Sequence, residues 1–362
     1  MPGDSAMRST APAAAATGEP PATLSVVIPT HDTRELVLAC LAALAAAAPP
    51  PDEVIVVDDG SSDGTAAAVA ASYPAVRLLR HERPLSFTAS ANAGAALAGG
   101  DLLLLLNSDT EVARDALGAL LAAFRDDPRL GIAGAALLYP DGSPQWSGGR
   151  VPDGRWLFAL ASGIAHRLGG SARWRRRRPV SGHGNGGEVD WVTGAALAVR
   201  RSLWRELGGF DPRFALYAQD LDLCLRARAL AWRVAVVPDS RVVHHHGATI
   251  GKPSREGASA GGDSAATVAR LDAPRLWADL VRWAAKQGGP AGARRAARWL
   301  RLGGYVQRSL LRIDALRGAE ARRLAAQQSC ALHAAAEAAR EAARLAAAPP
   351  HSPARLPGEG RT

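Results

Sequence analysis

Residues 24–124 alternate between short, unbroken apolar runs and segments with helical spacing. Strands covered on both faces show continuous apolar runs, and strands that alternate with helices are typical of a mostly parallel sheet. The predicted strands are 24–29, 53–57, 76–79 and 102–106. The predicted helices are 33–47, a segment after Asp63, 89–98 and 113–124. The pattern therefore predicts an α/β fold with helices on both faces of a mostly parallel central sheet.

Polar side chains directly follow three of these apolar runs. Thr30 follows the first run, Asp58 and Asp59 follow the second, and Asn107 and Asp109 follow the fourth. In parallel sheets, ligands bind beyond the carboxyl ends of the strands. Polar groups at three strand ends are better explained by one binding site than by three separate helix caps.

Beyond the fourth strand the pattern changes twice. Residues 140–188 are rich in Gly, Pro and Arg, include the run ARWRRRR, and predict a flexible loop with a helical piece over 156–168. Order returns with a strand-like block, a helix carrying QDLDLCLRARAL, and a strand over 234–237. The rest is Ala- and Arg-rich helix, broken at 288–290. The predicted organisation is a disordered arm (1–22), a catalytic domain (23–253), a basic helical extension (254–348) and a disordered tail (349–362). Within the catalytic domain we predict a donor half (23–139), a flexible loop (140–188) and an acceptor half (189–253).

The composition is that of a folded protein in a reducing compartment. Its 48% hydrophobic content argues against global disorder. No run of about 18 apolar residues is present, and the start of the chain lacks the pattern of a signal peptide. The three cysteines are far apart and have neither a disulfide nor a zinc-binding spacing. We therefore expect a cytoplasmic location, with peripheral contact at the inner face of the cell membrane as an added possibility.

The basic charge is concentrated at the C-terminal end. Residues 1–250 hold 24 Arg and Lys against 25 Asp and Glu, whereas residues 251–362 hold 19 against 9, a net charge of +10. Two apolar stripes at helical spacing run through this region: Trp277, Leu280, Val281 and Ala284, then Trp299, Leu302, Val306, Leu310 and Ile313. They could pack on the catalytic domain, pair subunits of a homo-oligomer, or lie on an anionic membrane, and packing is favoured. No nucleic-acid-binding motif accompanies the charge, so nucleic acid is not an expected partner.

Six blocks in the order VVIPTHD, VVDDGSSDGT, NAGAALAGGDLLLLLNSDTEV, DWVTGAALAVRRSLWRELGGFDPRF, QDLDLCLRAR and PDSRVVHHHGAT cover roughly residues 24–250. In these blocks the sequence resembles family 2 glycosyltransferases, in particular their bacterial rhamnosyltransferase-like branch. The resemblance implies the GT-A fold, a nucleotide-diphosphate-sugar donor, a divalent metal (Mg²⁺ or Mn²⁺) and inversion at the anomeric carbon. It also implies a bacterial surface glycan or a lipid-linked molecule as acceptor, and a rhamnose-like deoxyhexose or a hexose as the transferred sugar.

The resemblance assigns donor contacts to the first half of the chain. Asp59 matches the carboxylate that reads the nucleotide base, and a carboxylate can accept the imide N–H of uracil or thymine. Pro29 and Thr30 would line the base pocket. Asn92 would hydrogen-bond the donor or hold the preceding loop, with helix capping as the alternative. Asp63 is better explained as a helix cap.

The segment Asn107-Ser108-Asp109 matches the family's aspartate-x-aspartate metal motif, with asparagine in place of the first acid. A divalent cation neutralises charge on the diphosphate leaving group and prefers oxygen ligands. Asp109 would bind the metal, and Asn107 would contact the ribose or a metal-bound water. His244, the first of three consecutive histidines, would approach the metal. Glu111 is interpreted as a first-turn helix acid.

Asp220 matches the catalytic base of the family, which must reach the acceptor hydroxyl. The preceding Gln219 departs from the family's usual Glu and would contact the acceptor. Trp191, Thr193 and Gly194 match the floor of the acceptor site, although a core tryptophan is an equally good interpretation of Trp191.

Two other functions remain open from the sequence. The loss of the acid at Gln219 is compatible with a non-catalytic nucleotide-sugar-binding or scaffold protein derived from this family. A nucleotidyltransferase would use a similar sheet, but it would need a Gly-rich basic loop after the first strand, where this chain has PTHDTRE.

Overall fold

The structure is a computed structural model that describes residues 22–164, 187–245 and 272–347. Several predicted features lie outside these residues: the N-terminal arm before residue 22, the arginine-rich run 172–178, His246, the first part of the basic extension (254–271) and the tail 349–362. Among the described residues no helix is long and apolar enough to cross a membrane.

The first half of the chain contains the predicted alternation of strands and helices. Its elements are β1 (Leu24–Thr30), α1 (Arg34–Ala45), β2 (Glu53–Asp58), α2 (Thr65–Ser72), β3 (Arg77–Arg80), α3 (Phe87–Leu97), β4 (Leu102–Leu106), β5 (Thr110–Val112), α4 (Ala116–Asp126) and β6 (Leu130–Leu138). The boundaries of the predicted elements agree to within a few residues, and the strands β5 and β6 were not predicted.

The second half contains shorter strands and longer helices. Its elements are β7 (Gly148–Gly149), α5 (Gly154–Ser162), β8 (Trp191–Val192), β9 (Ala196–Arg200), α6 (Arg201–Leu207), α7 (Gln219–Ala229), β10 (Arg233–His244), α8 (Ala273–Asp314), a 3₁₀ turn (Ala315–Arg317) and α9 (Ala319–Ala347). The predicted flexible loop therefore contains structure in its described part: β7 pairs with β8, and α5 begins two residues before the predicted helical piece.

One eight-stranded sheet organises the domain that was predicted to be catalytic (23–253), called the catalytic part below, with strand order β3-β2-β1-β4-β9-β6-β10-β5. The pairs among β3, β2, β1 and β4 are parallel, as predicted. β9 is antiparallel to both of its neighbours, β4 and β6. β10 runs parallel to β6 and antiparallel to β5. The carboxyl ends of β1, β2 and β4 thus meet at one edge, where the polar groups were predicted to lie.

The sheet separates two apolar clusters because successive residues of a strand point to opposite faces. In β1, Val26 and Ile28 join the cluster beneath α1 and α4, whereas Val27 joins the cluster beneath α3, α6 and α7. The close fit of α3 depends on Gly94, where a Cβ atom would lie 2.4 Å from the Val27 side chain. The sheet is therefore covered on both faces, which explains its unbroken apolar strands.

The first half of α8 packs against the catalytic part. Trp277 and Val281 of the first predicted stripe are buried, and Trp283 joins the core cluster of α3, α6 and α7. The helix is broken by non-helical backbone at Gly288 and Gly289, directly before Pro290, as predicted. The sequence analysis favoured packing of this helix on the catalytic part, and the structure confirms that packing for the first half of α8.

The second half of α8 packs through a face that the sequence analysis did not identify. Its contacts with α5 and α9 are made by small side chains: Ala293, Ala296 and Ala297 are buried together with Leu300 and Leu311. A Cβ atom on Gly303 would lie 2.6 Å from the Phe158 carbonyl oxygen, so the two helices approach closely only because glycine stands there. The second predicted stripe lies mainly outside this face, although its Trp299 packs over Gly154 of α5.

Candidate active site

Asp59 lies at the carboxyl end of β2 and is held by the protein. Its N–H donates to the Thr30 carbonyl at 2.8 Å, which ties the ends of β1 and β2 together. Its Oδ1 accepts the Leu85 N–H at 2.9 Å and lies 2.9 Å from Nδ1 of His81. With 6% of Asp59 exposed, and with these hydrogen bonds all on Oδ1, Oδ2 is the oxygen that a ligand N–H can approach.

The neighbouring acids stabilise the turn between β2 and α2. Asp63 Oδ1 accepts the Thr65 N–H at 3.0 Å and its Oδ2 accepts the Arg34 N–H at 3.1 Å, so it serves the first turns of two helices. This confirms capping as the role of Asp63. Asp58 Oδ1 accepts the Ser61 N–H at 3.1 Å, and Asp58 Oδ2 lies 3.3 Å from Nε of Arg80.

Asn92 bonds the backbone of Phe210 through both ends of its amide. Its Oδ1 accepts the Phe210 N–H at 3.0 Å and its Nδ2 donates to the Phe210 carbonyl at 2.9 Å. These bonds fasten α3 to the segment after α6 and not to the loop that precedes α3. The amide keeps a second N–H and a second lone pair, so a donor contact by Asn92 is compatible with these bonds and stays a prediction.

Asp109 lies just beyond β4 with only 1% of its surface exposed. Its Oδ1 is 3.4 Å from Nε2 of His244, the last residue of β10. The contact arises because β10 pairs with β5 and places His244 opposite Thr110, the residue after Asp109. The N–H of His245 also donates to the Asp109 carbonyl at 2.9 Å. The sheet thus brings together the two side chains predicted to hold a metal.

Gln145 fixes the orientation of the His244 ring. Its Nε2 donates to the His244 carbonyl at 3.2 Å, so its Oε1 is the atom that faces the ring. This Oε1 lies 2.5 Å from Nδ1 of His244, and two acceptors cannot share such a contact, so Nδ1 carries the proton and donates it. In the neutral ring Nε2 then carries the lone pair, and Nε2 faces Asp109.

These donors fit a hard divalent cation that also binds a diphosphate. Asp109 offers carboxylate oxygens and His244 a ring nitrogen, while Asn107 Oδ1 is buried and, within the described chain, has no hydrogen-bond partner. Over residues 22–164, 187–245 and 272–347, no group of three or more His, Cys, Asp or Glu side chains could hold a metal. Mg²⁺ typically binds one or two carboxylates and completes its coordination with phosphates and water.

Glu111 does not join this group. It lies in β5 and not in the first turn of a helix, so that interpretation was wrong. Its Oε1 is 2.7 Å from Nε2 of His245, and 46% of the Glu111 side chain is exposed. The two residues form a surface pair beside the metal-ligand candidates.

Asp220 lies in the first turn of α7, and both of its oxygens accept backbone N–H groups. Gly194 donates to Oδ2 at 2.7 Å and Leu221 donates to Oδ1 at 2.8 Å. Burial nevertheless raises the pKa of Asp220, because the lost hydration penalises the carboxylate more than these bonds favour it. A raised pKa makes this carboxylate a stronger proton acceptor than an ordinary aspartate.

The residues before Asp220 carry strain and an unsatisfied polar atom. Ala218 has φ 65°, in the left-handed region that a Cβ atom disfavours. Gln219 is 4% exposed, and in the part of the chain that the structure describes its Oε1 has no hydrogen-bond partner. Strained backbone and unsatisfied buried polar atoms concentrate at functional sites. These two features mark the start of α7 as a site candidate independently of any motif.

A short series of hydrogen bonds and covalent neighbours connects the segment Asn107–Asp109 to Asp220. The N–H of Asn107 donates to the Ala195 carbonyl at 2.9 Å, next to the antiparallel pair β4 and β9. Ala195 follows Gly194, whose N–H is bound by Asp220. The metal-ligand candidates and the candidate base therefore belong to one edge of the sheet.

Residues 25–188 match the sequence model of Glycosyl transferase family 2. The chain carries a family 2 glycosyltransferase domain. The match covers the strand ends that bear Asp59 and Asp109, and it stops before the Asp220 segment.

Two curated relatives cover about half of this chain. Over 182 residues it is 31% identical to the O-antigen biosynthesis protein RfbC of Myxococcus xanthus, a match over 49% of this chain and 13% of that protein. Over 199 residues it is 29% identical to an N-acetylglucosaminyl-diphospho-decaprenol L-rhamnosyltransferase of Mycobacterium tuberculosis (strain CDC 1551 / Oshkosh), a match over 50% of this chain and 62% of that protein. In each case the match spans less than two thirds of the relative.

A solved structure extends the likeness beyond the family match. The mannosyltransferase PcManGT from Pyrobaculum calidifontis, in complex with GDP-Man and Mn²⁺, superposes with a TM-score of 0.50 at 20% identity, over 87% of this chain and 86% of that chain. The family 2 domain therefore has the predicted GT-A fold, with α8 and α9 as a C-terminal helical extension.

Trp191, which was predicted to line an acceptor site, is mainly a core residue. It is 7% exposed, and its Nε1 donates to the Arg150 carbonyl at 3.0 Å. Its ring meets the edge of Trp146 at a centroid distance of 4.8 Å, and Trp146 lies 5.6 Å from Trp156. Of these three rings, Trp146 and Trp156 keep more exposed surface than Trp191. An acceptor contact by Trp191 stays a prediction and would involve only a small part of its ring.

Gln145 is the site residue that the sequence analysis missed. It lies in the Gly- and Pro-rich stretch that was predicted to be a flexible loop, and no local spacing connects it to His244, which is 99 residues away. The only local signal is a glutamine beside Trp146 in an otherwise turn-like segment, which is too common to identify a site.

Proposed function

We propose that this protein is an inverting glycosyltransferase that moves a sugar from a nucleotide-diphosphate donor to a hydroxyl of a bacterial surface glycan or lipid-linked acceptor. The observation that carries the proposal is the common edge that joins Asp109 and His244 to Asp220 through Asn107, Ala195 and Gly194. A donor diphosphate on the first pair and an acceptor hydroxyl on Asp220 would then be neighbours.

The names of the relatives support the class of sugar and acceptor. One is an O-antigen biosynthesis protein, and the other transfers L-rhamnose to a decaprenol-linked sugar according to its name. We therefore place a rhamnose-like deoxyhexose or a hexose on the donor. A lipid-linked acceptor is presented at a membrane, so the proposed location is the cytoplasm, at the inner face of the cell membrane.

A divalent cation, when bound, would neutralise charge on the leaving diphosphate. Asp109 and His244 would hold it, with Gln145 keeping Nε2 of His244 turned towards the site. Asn107 Oδ1 is buried beside them and would bond the ribose or a water ligand. PcManGT was solved with Mn²⁺, which supports Mn²⁺ as the first cation to try.

The protein's own groups would supply donor recognition and proton transfer. Asp59 Oδ2 would accept an N–H of the nucleobase while Leu85 and His81 hold Oδ1. Pro29 and Thr30 end β1 beside it and would line the base pocket. Asp220 would accept the proton of the attacking hydroxyl on the face opposite the departing diphosphate, which is the geometry of inversion.

The testing experiment has two stages. A thermal-shift screen of nucleotide sugars with Mn²⁺ would identify the donor, because a ligand that binds only the folded state raises the melting temperature. Transfer to lipid-linked or glycan acceptors would follow, with the anomeric configuration of the product read by NMR. Retention of configuration would contradict the proposal.

Two variants distinguish an enzyme from a scaffold. Asp109→Ala should remove the Mn²⁺-dependent part of the thermal shift, while Asp220→Asn should keep that shift and lose transfer. A wild-type protein that binds donor with Mn²⁺ but transfers to no acceptor and hydrolyses no donor would favour the non-catalytic nucleotide-sugar-binding alternative.

A further inference from the structure

The second half of α8 exposes a stripe of large apolar side chains. Trp299 is 38% exposed, Leu302 46% and Ile313 60%, and Tyr305 beside them is 70% exposed. Val306 and Leu310, which are half-buried, lie on the same stripe at about 100° per residue. The stripe is about 21 Å long at 1.5 Å per residue. Monomeric proteins rarely expose such a continuous apolar surface without a partner.

Most of the stripe lies outside the packing face of α8. The helix contacts α5 and α9 through Ala293, Ala296, Ala297 and Leu300, which occupy a different arc of the helix. Of the stripe, Trp299 contacts α5: its ring packs over Gly154 and meets the edge of Phe158 at 6.3 Å. Leu302 and Ile313 nevertheless stay exposed, although they are as large as the buried Leu300.

Arginines border this stripe on the side away from the packing face. Arg294, Arg298, Arg301 and Arg312 are all exposed. The helix periodicity places them on the arc next to Leu302 and Ile313. Apolar residues with Trp and Tyr beside a row of arginines are the composition of helices that lie in the interface of an anionic membrane.

We propose that this face of α8, defined by the stripe Trp299, Leu302, Val306, Leu310 and Ile313 and by the bordering arginines, docks the protein on an anionic lipid surface. The apolar side chains enter the headgroup boundary and the arginines pair with lipid phosphates. A second copy of the chain fits less well, because a two-fold contact would bring the same arginines together. Nucleic acid would leave the apolar stripe without a partner.

This inference does not depend on the proposed transfer reaction, but it gives the reaction an orientation. The first half of α8 is fixed to the catalytic part, since Nζ of Lys286 lies 2.6 Å from Asp222 Oδ1 on α7. A docked α8 would therefore hold α7, with Asp220 in its first turn, in a set position relative to the lipid surface.

The test is sedimentation of the full chain with vesicles of phosphatidylcholine alone or with phosphatidylglycerol. We expect binding to the anionic vesicles, none to the neutral ones, and weaker binding as salt rises. Arg298→Gln with Arg301→Gln and Arg312→Gln should weaken binding on the order of a hundredfold, at about 1 kcal/mol for each arginine near the surface. Leu302→Glu with Ile313→Glu should abolish it.

The matched control is Leu230→Glu, which changes an equally exposed leucine (47%) on the catalytic part. It should bind vesicles like the wild type. Unchanged melting temperatures would show that each variant folds, and quenching of tryptophan fluorescence by brominated lipid should fall in Trp299→Phe. Equal binding to neutral and anionic vesicles, or unchanged binding by the Leu302 and Ile313 variant, would overturn the proposal. The proposal would also be overturned if the wild-type protein bound no vesicles but formed a concentration-dependent dimer, and if the Leu302 and Ile313 variant did not form that dimer.

Discussion

At the scale of single residues, the orientation of one ring depends on Gln145. Gln145→Leu removes both hydrogen bonds to His244 and lets the ring rotate away from Asp109. We expect metal affinity to fall by about ten- to a hundredfold, the usual effect of losing such a supporting contact. Titration of Mn²⁺, followed by its electron paramagnetic resonance signal with nucleoside diphosphate present, measures this directly.

Gln145→Glu is the matched control for that change. The glutamate keeps an oxygen that accepts the proton of Nδ1, so Mn²⁺ affinity should stay closer to that of the wild type. Equal Mn²⁺ affinity in the leucine variant and the wild type would show that Gln145 does not orient the ligand.

Asp220 gives a prediction about pH. Because burial raises its pKa, transfer should fall as pH decreases through that raised value and the base becomes protonated. Folding must also bury the ionised carboxylate at high pH, which costs stability. The contribution of Asp220 to the free energy of unfolding therefore decreases as pH rises from its pKa in the unfolded state to its higher pKa in the folded state. Asp220→Asn should remove both effects and lower kcat by about two to four orders of magnitude. A pH–rate profile and urea unfolding at several pH values test this.

Gln219→Glu provides an independent check on that assignment. A carboxylate at this buried position would place a second negative charge next to Asp220 and raise the Asp220 pKa further. The acidic limb of the pH–rate profile should therefore move to higher pH. A profile that does not move would mean that Asp220 is not the group that titrates.

At the scale of elements, a charge cluster fastens α8 to α7. Asp222 is fully buried, with Arg226 at 2.7 Å and Lys286 at 2.6 Å. Lys286 also lies 2.8 Å from Asp211, whose pKa is lowered chiefly by its bonds with Arg213. Lys286→Met leaves Asp222 with one cation, and the free energy of unfolding should fall by roughly 1.5–3 kcal/mol.

Arg295→Met on the exposed side of the same helix is the control, and it should change the free energy of unfolding by less than about 0.5 kcal/mol. Urea unfolding measures both variants. Equal stabilities would mean that Arg226 alone satisfies Asp222 and that Lys286 is not part of the attachment.

At the scale of the whole molecule, the C-terminal extension completes the core of the GT-A domain. Trp283 is 5% exposed within the cluster that also contains Trp204, Phe210 and Leu221. Truncation after residue 271 would uncover this apolar surface. We therefore expect a lower melting temperature and aggregation, followed by circular dichroism and gel filtration. A truncated chain that stays monomeric with an unchanged melting temperature would show that the extension is an independent unit.

The sequence by itself determined much of the first half of the fold and the polar edge of its sheet. Short unbroken apolar runs between turn signals are typical of strands covered on both faces, so β1, β2 and β4 were predictable, as was the edge with Thr30, Asp59 and Asp109. The break of α8 at Gly288 and Gly289 was also predictable, because Pro290 disfavours helical backbone at the residue before it and cannot donate a helix hydrogen bond.

Tertiary structure decided which distant groups meet. The antiparallel strand β9 between β4 and β6, and the pairing of β10 with β5 that sets His244 against Asp109, depend on contacts that no local pattern encodes. It also decided which face of α8 is buried. Periodicity marked the stripe with Trp299 and Ile313 as the apolar face. The close approach of α5 at Gly303 instead places a face rich in alanine and glycine, with Leu300 and Leu311, inside, and Leu302 and Ile313 remain on the surface.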